Sequence, residues 1–362
     1  MPIKVAFWNL QNLFDAQLSA IAADLGFTAE NGWTGEVVKA KLDHLAEVIR
    51  LMHDGQMPDL LGVCEVENKS LMERLATRLG ADRYAVAHVN SPDIRGIDAS
   101  LLYDRHVFYP HPEMPIRAIK VSNRFPTRDI FEVPLCLHGS DTELIVYVNH
   151  WPSRSMGKYE SEPLRISVAN HLGKLIDDQL KVDRLDYLSM PDTEDTLSLL
   201  NQRWNRNILL MGDFNDEPFN RSILDYLKAS NSTDHLEEEI KAGRSRDRDY
   251  TPTPSSYFRE QAYLFNCMWP FLAQPDTGTL YYSGSTNTMN VLDQFMISRG
   301  LYYGLQGLKF DCDSVKIFRP EIMSSSRKQR PVAFDYDKKG IKPSRGYSDH
   351  FPITGVLEVF AS

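Results

Sequence analysis

Asn9, Glu65, His150, Asp213 with Asn215, Asp293, and Asp349 with His350 share one kind of placement: each is polar and follows directly on an apolar run. Carboxylate and amide oxygens are the donors that Mg²⁺ or Mn²⁺ prefers, and the two histidines add groups able to stabilise a phosphate or protonate a leaving oxygen. Each residue alone also has a plain structural reading. Asn9 and Asn12 suit a turn, Glu65 and Glu67 a solvated strand end, and Gly212-Asp213-Phe214-Asn215 a turn into a helix cap. Ser348-Asp349-His350 suits a polar turn, and Asp293 is one acid inside a strand. The recurrence of the pattern along the whole chain is what argues for a shared site.

The elements that must position these residues follow from periodicity. Lys4 to Trp8 reads as a buried strand, and Val38, Leu42, Leu45, Ile49 and Met52 recur at helical spacing across Glu36 to His53. A second strand is expected from Asp59 to Cys64 after Pro58, then a helix with Leu71, Leu75 and Leu79 on one stripe, giving β-α-β-α. The middle switches to strands at Tyr84 to Val89, Ser100 to Tyr103, Ile130 to Leu137 and Leu144 to Asn149. Pro163 opens a helix carrying Leu164, Val168, Leu172 and Leu175. Asn207 to Met211 is a buried strand before a short helix from Phe219, and the last strands are Val291 to Ile297 and Ile353 to Val359. Residues 182–206, acidic with leucines, and 235–286, polar and later aromatic, read as insertions. No repeat or Pro/Gly/Ser linker divides the chain, so residues 1–362 are expected to form one mixed α/β domain with helices outside.

The 362 residues are 42% hydrophobic and 25% charged, which is globular and excludes a disordered chain. The start has no signal-peptide-like apolar core, and no apolar stretch is long enough to span a bilayer. Cys64, Cys136, Cys267 and Cys312 lie far apart with no CxxC pair, so neither a zinc knuckle nor a disulfide scaffold is indicated and a reducing cytoplasmic setting is expected. A net charge of −9 argues against a surface that is basic everywhere. A local exception is Arg327 to Arg345, with seven basic residues against Asp335 and Asp337. That segment reads either as a solvated loop or as a grip for a polyanion beside Ser348-Asp349-His350.

Taken in order, these motifs resemble the endonuclease/exonuclease/phosphatase superfamily over nearly the entire chain. Phe7-Trp8-Asn9-Leu10-Gln11-Asn12 is similar to its first strand, Gly62-Val63-Cys64-Glu65-Val66-Glu67-Asn68 to its metal-ligand strand, and Asn149-His150-Trp151-Pro152-Ser153-Arg154 to its catalytic-histidine strand. Gly212-Asp213-Phe214-Asn215, Leu292-Asp293-Gln294-Phe295 and Ser348-Asp349-His350 complete the series. The resemblance implies a four-layer α-β-β-α sandwich with the site at the mouth between two sheets. It implies that Glu65, with Asn9 and Asp349, holds Mg²⁺ or Mn²⁺, and that Asp213 orients and deprotonates the attacking water with Asn215 beside it. His350, fixed by Asp293, and His150 would donate to the phosphate. Arg95, in Arg95-Gly96-Ile97-Asp98, matches a similar run in bacterial members and is assigned to phosphate binding.

Departures from the family pattern narrow the substrate. Gln11 stands where abasic-site endonucleases carry an acid, and Asp216-Glu217-Pro218 and Asn290-Val291-Leu292-Asp293 differ from the inositol-phosphatase blocks. Cys64 occupies a place often held by glutamine and is expected to serve packing. The expected activity is metal-dependent hydrolysis of phosphodiester bonds by a nuclease of little sequence specificity. The alternative is a phosphatase or phosphodiesterase for a small nucleotide or phospholipid headgroup, and the third reading is a catalytically silent binding module. Nucleic acid or another phosphoester is the expected partner, with Tyr281, Tyr282 and Tyr347 available to stack bases.

Overall fold

Alternation along the strands decides which side chains meet, and it produces three separate apolar layers in the computed structural model. The structure describes residues 2–17, 26–91, 95–121, 128–191, 193–234, 236, 261–282, 288–325, 329–339 and 342–360. In chain order the strands are β1 (Ile3–Leu13), β2 (Leu60–Val66), β3 (Tyr84–His88), β4 (Asp98–Asp104), β5 (Phe108–Pro110), β6 (Arg117–Ile119), β7 (Ile130–Leu137) and β8 (Glu143–His150). They continue as β9 (Ile208–Asp213), β10 (Ala229–Ser230), β11 (Leu264–Asn266), β12 (Leu280–Tyr282), β13 (Thr288–Asn290), β14 (Asp293–Ile297), β15 (Leu308–Ile317) and β16 (Ile353–Val359). One mixed sheet runs β15-β16-β1-β2-β4-β3, and the other β10-β11-β14-β9-β8-β7-β5, with β6 also on β7. β12 and β13 form a separate two-stranded ribbon.

Odd positions of β1, such as Val5 and Phe7, point between the sheets. There they meet Leu101, Val133, Val146, Leu209, Met211 and Phe295 in the central core. The other face of β1 and β2, with Ala6, Trp8, Leu61 and Val63, is covered by helices α1 (Gly35–Leu51) and α2 (Lys69–Gly80). Ile145, Tyr147, Ile208 and Leu210 face the opposite way onto Val168, Leu172 and Ile176 of α3 (Glu162–Leu180). Helix, sheet, sheet and helix therefore stack as a four-layer α-β-β-α sandwich.

Local chemistry explains the helix starts. The Thr34 hydroxyl accepts from Val37 N–H at the head of α1, Asn68 Oδ1 accepts from Leu71 N–H at 3.0 Å before α2, and Pro163 sits in the first turn of α3. α1 stops short of the expected His53, because His53 and Asp54 take left-handed backbone angles. The helix expected from Phe219 is a π-type turn at Ser222–Tyr226. Residues 182–206 contain two short helices, α4 (Arg184–Ser189) and α5 (Glu194–Trp204). Within the second expected insertion, residues 235, 237–260 and 283–286 lie outside the described residues, as do Arg327 and Lys328 of the basic segment. Among the described residues no helix is long and apolar enough to cross a membrane.

β15 has no counterpart in the periodicity reading. Leu308, Phe310 and Cys312 alternate with Lys309, Asp311 and Asp313, but the apolar positions change parity at Ser314, where the register against β16 shifts between Asp311 and Lys316.

Candidate active site

Strand register assembles the polar residues in rows. β8 and β9 pair in parallel with His150 opposite Asp213, and β9 and β14 pair antiparallel with Asp213 opposite Asp293. In the other sheet β1 and β2 place Asn9 opposite Cys64, with Glu65 the next residue on β2. Gly212 permits the β8–β9 approach, since a Cβ there would lie 2.4 Å from the Asn149 carbonyl oxygen.

At the mouth the backbone leaves regular geometry. Gln11, Asn12, Glu65 and Asn215 all adopt φ between 52° and 65°. Such angles are costly for residues with a Cβ, and they cluster here because surrounding contacts hold them. Glu65 is bulged out of β2 so that Oε2 accepts the Asn12 N–H at 2.8 Å. Asn215 turns so that its N–H reaches Asp213 Oδ1 at 2.9 Å while its side-chain amide donates to the Trp151 carbonyl at 3.0 Å.

The two sheets meet through polar side chains. Asn9 Nδ2 donates to Asp213 Oδ2 at 3.1 Å and approaches Glu65 Oε1 at 3.4 Å, while its oxygen accepts from Gln11 N–H at 3.0 Å. Asn9 is thus a strut between the carboxylates of opposite sheets. His350 Nδ1 is 2.7 Å from Asp293 Oδ2, and His350 Nε2 is 3.9 Å from Asp213 Oδ2. Ser348 Oγ, which donates to the Asn9 carbonyl at 2.7 Å, also accepts from His350 N–H at 3.1 Å and fixes the turn.

The charge states follow from burial and neighbours. Burial opposes a charge on His350, but Asp293, through charge and hydrogen bond, together with Asp213 and Asp349, outweighs it and holds the imidazole pKa well above its ordinary value. His150 is the opposite case. Its Nε2 lies 3.6 Å from Glu65 and 3.8 Å from Asp213, beyond hydrogen-bonding distance. Burial, Arg128, Arg95 and His350 push its pKa well below the ordinary value, so it is neutral. Asp213 is pushed up to about 7, by burial first and then by Asp293 and Glu65, against the pull of His350 and the Asn215 N–H. Burial and Glu65 raise Asp349, which His350 and Lys41 pull down.

Ligand atoms of Asp213, Asp293 and His350 lie within 4.8 Å of one another, and the raised His350 pKa favours the protonated ring, which has no free lone pair for a metal. The donors suited to a hard divalent cation are on the other side, around Glu65 and Asp349. Glu65 raises the pKa of both Asp213 and Asp349, a like-charge repulsion that a cation would relieve, and the set fits Mg²⁺ or Mn²⁺.

Asn9, Glu65, His150, Asp213, Asn215, Asp293, Asp349 and His350 come together at this mouth. Arg95 donates to Asn12 Oδ1, which ties it to the Glu65 bulge. Cys64 is fully buried in the central core, beside Asn9 in the register. Other contributors escaped the sequence reading. Lys41, on the buried face of α1 and 4.5 Å above the Phe334 ring, donates to the Gln11 carbonyl and faces Asp349 and Glu65. Its signal was a lysine at helical spacing among Val38, Leu42 and Leu45. Arg154 and Arg165 are buried against Asp216 at 3.2 and 2.8 Å, anchoring the turn after Asn215. Thr279 Oγ1 accepts from Asp293 N–H at 3.2 Å.

Part of the described basic segment packs down, while Lys338, Lys339, Lys342 and Arg345 are exposed. Phe334 is buried against Trp33 and His44, its N–H donates to Gln11 Oε1 at 2.7 Å, and Arg330 covers the Tyr281 ring at 3.2 Å. Tyr347 lies against His44, leaving Tyr282 the exposed member of the three tyrosines.

The sequence profile of the Endonuclease/Exonuclease/phosphatase family matches residues 4–243 and 255–359. The chain belongs to this family. Its members are phosphoesterases, nucleases and phosphatases among them. The fold is similar to that of an endonuclease/exonuclease/phosphatase family protein from Bacteroides thetaiotaomicron, with a TM-score of 0.54 and 12% identity over 100% of this chain and 99% of the other. It is also similar to the mannosyl-6-phosphatase of that organism, at a TM-score of 0.51 and 13% identity over 98% and 99% of the chains. D. rerio TDP2 complexed with a single-strand DNA product gives a TM-score of 0.51 and 11% identity over 99% of both. No curated protein sequence matches the chain. At such identities the likeness is one of fold, and the substrate must be argued from the site.

Proposed function

We propose that this family member is a Mg²⁺- or Mn²⁺-dependent phosphodiesterase acting on nucleic acid with little sequence specificity. The observation that carries the chemistry is His350, its Nδ1 2.7 Å from Asp293 and its Nε2 3.9 Å from the Asp213 carboxylate, an arrangement that favours the protonated ring. An anion stabiliser and a base share one buried space, as hydrolysis of a phosphoester requires.

Asp213, its Oδ1 fixed by Asn215 N–H and its Oδ2 by Asn9, orients the attacking water and accepts its proton. His350 donates from Nε2 to the phosphate oxygen on which negative charge builds, and Asp293 holds Nδ1 so that this proton points outward. Neutral His150 donates from Nε2 to a second phosphate oxygen, and Arg95 binds the phosphate from the Glu65 side. Glu65 and Asp349 would hold the cation, with Asn9 positioning Glu65; the cation supplies polarisation of a non-bridging oxygen.

The nucleic-acid substrate is supported by the fold shared with a protein solved on a DNA product and by Arg330, Lys338, Lys339, Lys342 and Arg345 on the segment leading to Asp349. A monoester substrate is the second reading, favoured by the comparable likeness to the mannosyl-6-phosphatase. The four free thiols suit the reducing, cytoplasmic setting we assign.

The test is hydrolysis by purified protein, with Mg²⁺ or Mn²⁺, of plasmid DNA, single-stranded DNA, RNA and bis-p-nitrophenyl phosphate, with Asp213→Ala and EDTA as controls. Nucleic-acid cleavage that disappears in both controls is the expected result. Turnover of the small ester alone overturns the nucleic-acid substrate, and no turnover on any diester shifts the reading to monoesters or to a silent binding module.

A further inference from the structure

Cys267 and Cys312 are 45 residues apart in the chain, yet their Sγ atoms lie 3.3 Å from each other. Cys267 directly follows β11 and is buried; its N–H donates at 3.0 Å to the Phe295 carbonyl on β14. Cys312 is on β15, partly exposed, at the register shift against β16. The two sulfurs therefore face each other across the gap between the sheets. Nearby, Phe295 on β14 packs against Phe310 on β15 at a ring separation of 5.5 Å, and Phe265 on β11 against Tyr302 of the short helix Arg299–Tyr303 at 4.6 Å.

We propose that Cys267 and Cys312 form a reversible dithiol site, at which a hydroperoxide or a small disulfide closes a covalent staple between the two sheets. A disulfide needs sulfurs at about 2.05 Å, so closure asks for a shift of little more than 1 Å. The looser β15 bulge and the partial exposure of Cys312 allow that shift from one side. Cys312 is also the point of entry, because Cys267 is buried and its thiol pKa is raised well above the ordinary value by burial and by Cys312 itself.

With hydrogen peroxide, the Cys312 thiolate attacks one oxygen, the O–O bond breaks, and the departing hydroxide takes a proton to become water, leaving a sulfenic acid. The Cys267 sulfur then attacks Cys312 Sγ, the S–O bond breaks, and the hydroxide leaves with the Cys267 proton as a second water. Two thiols lose two electrons and one peroxide gains them. The staple ties the neighbour of β14, which begins with Asp293, to the neighbour of β16, which His350 precedes. It thus joins the same two layers that the His350–Asp293 bond joins at the active-site end.

Closing a loop of this length restricts the unfolded chain, and for 362 residues the expected rise in melting temperature is about 5 °C. The experiment exposes the full-length protein to a small excess of hydrogen peroxide, then measures intact mass, free thiols after denaturation, the non-reducing peptide map and the melting temperature. Expected are a loss of about 2 Da, a fall from four titratable thiols to two, one crosslinked peptide joining residues 267 and 312, a higher melting temperature, and full reversal by dithiothreitol. Cys312→Ser should show none of these changes, whereas Cys136→Ser should keep the mass loss, the crosslinked peptide, the higher melting temperature and the reversal, with its titratable thiols falling from three to one. An unchanged mass, oxygen adducts without crosslink, a link to Cys64 or Cys136, or a stapled protein that melts no higher would each overturn the proposal. The mass and peptide map are read on the unaltered chain, so a folding defect in a variant does not blunt the test.

Discussion

Asp213→Asn removes the negative charge that the site holds at greatest cost, and the structure sets both the size and the sign of the effect on stability. The Asp213 carboxyl has a pKa of about 7 against an ordinary 3.8, through burial and the facing charges of Asp293 and Glu65, with the pull of His350 already counted. A carboxyl whose pKa is raised on folding stabilises the native state fully only below its unfolded value, and that stability is lost as pH rises through the folded value. The metal-free wild-type protein therefore carries a penalty of about 2 kcal/mol at pH 5 and about 4 kcal/mol at pH 8. The asparagine carries no such penalty. It has only one acceptor for the two donors now served, Asn215 N–H and Asn9 Nδ2, and this costs about 1–2 kcal/mol at every pH.

The two terms nearly cancel at pH 5 and leave the variant about 2–3 kcal/mol more stable at pH 8. For 362 residues this is a melting temperature about 3–4 °C higher. The assay is thermal unfolding of EDTA-treated wild-type and Asp213→Asn protein from pH 5 to pH 8.5, followed by repetition in saturating Mn²⁺. The difference should open with rising pH in EDTA and shrink with metal, since a cation beside Glu65 offsets the same repulsion. A difference independent of pH, or a variant that melts below wild type at pH 8, would refute the assignment of Asp213 as a buried, cation-compensated carboxylate.

Glu65→Gln should abolish the metal-induced rise in melting temperature and lower metal-dependent hydrolysis by at least about 100-fold, read by calorimetry and the diester assay. Asp293→Asn should slow turnover by about 10²-fold or more and introduce an alkaline fall in activity near the ordinary imidazole pKa. Wild type should show no such fall there, because Asp293 keeps His350 protonated well above that value. Gly212→Ala places a Cβ 2.4 Å from the Asn149 carbonyl oxygen, so it should destabilise by about 1–3 kcal/mol and depress turnover by spreading His150 from Asp213.

A polar residue directly after an apolar run marks where a strand leaves the core, which is why Asn9, Glu65, His150 and Asp213 were legible one strand at a time. Such a mark gives depth along a strand but says nothing of lateral neighbours. The row His150–Asp213–Asp293 exists only through pairing of β8, β9 and β14, which β9 joins across a separation of some eighty residues from β14. The left-handed backbone at Glu65 was invisible because no glycine announces it; contacts from Asn12 impose it. Lys41 broke an apolar stripe and so could have been flagged, but its carbonyl partner on β1 and its carboxylate neighbours lie on other elements. The cysteine pair shows the same gap, since sequence spacing excluded a local motif while the approach of β15 to the end of β11 created a contact. Chemistry here was written in residue types at strand ends, and the partnerships that set the charge of each group were written in the pairing of strands far apart in the chain. The state of His350 turns on that pairing: its charge depends on an aspartate from the opposite sheet, so any change that parts the sheets should lower its pKa before it unfolds the protein.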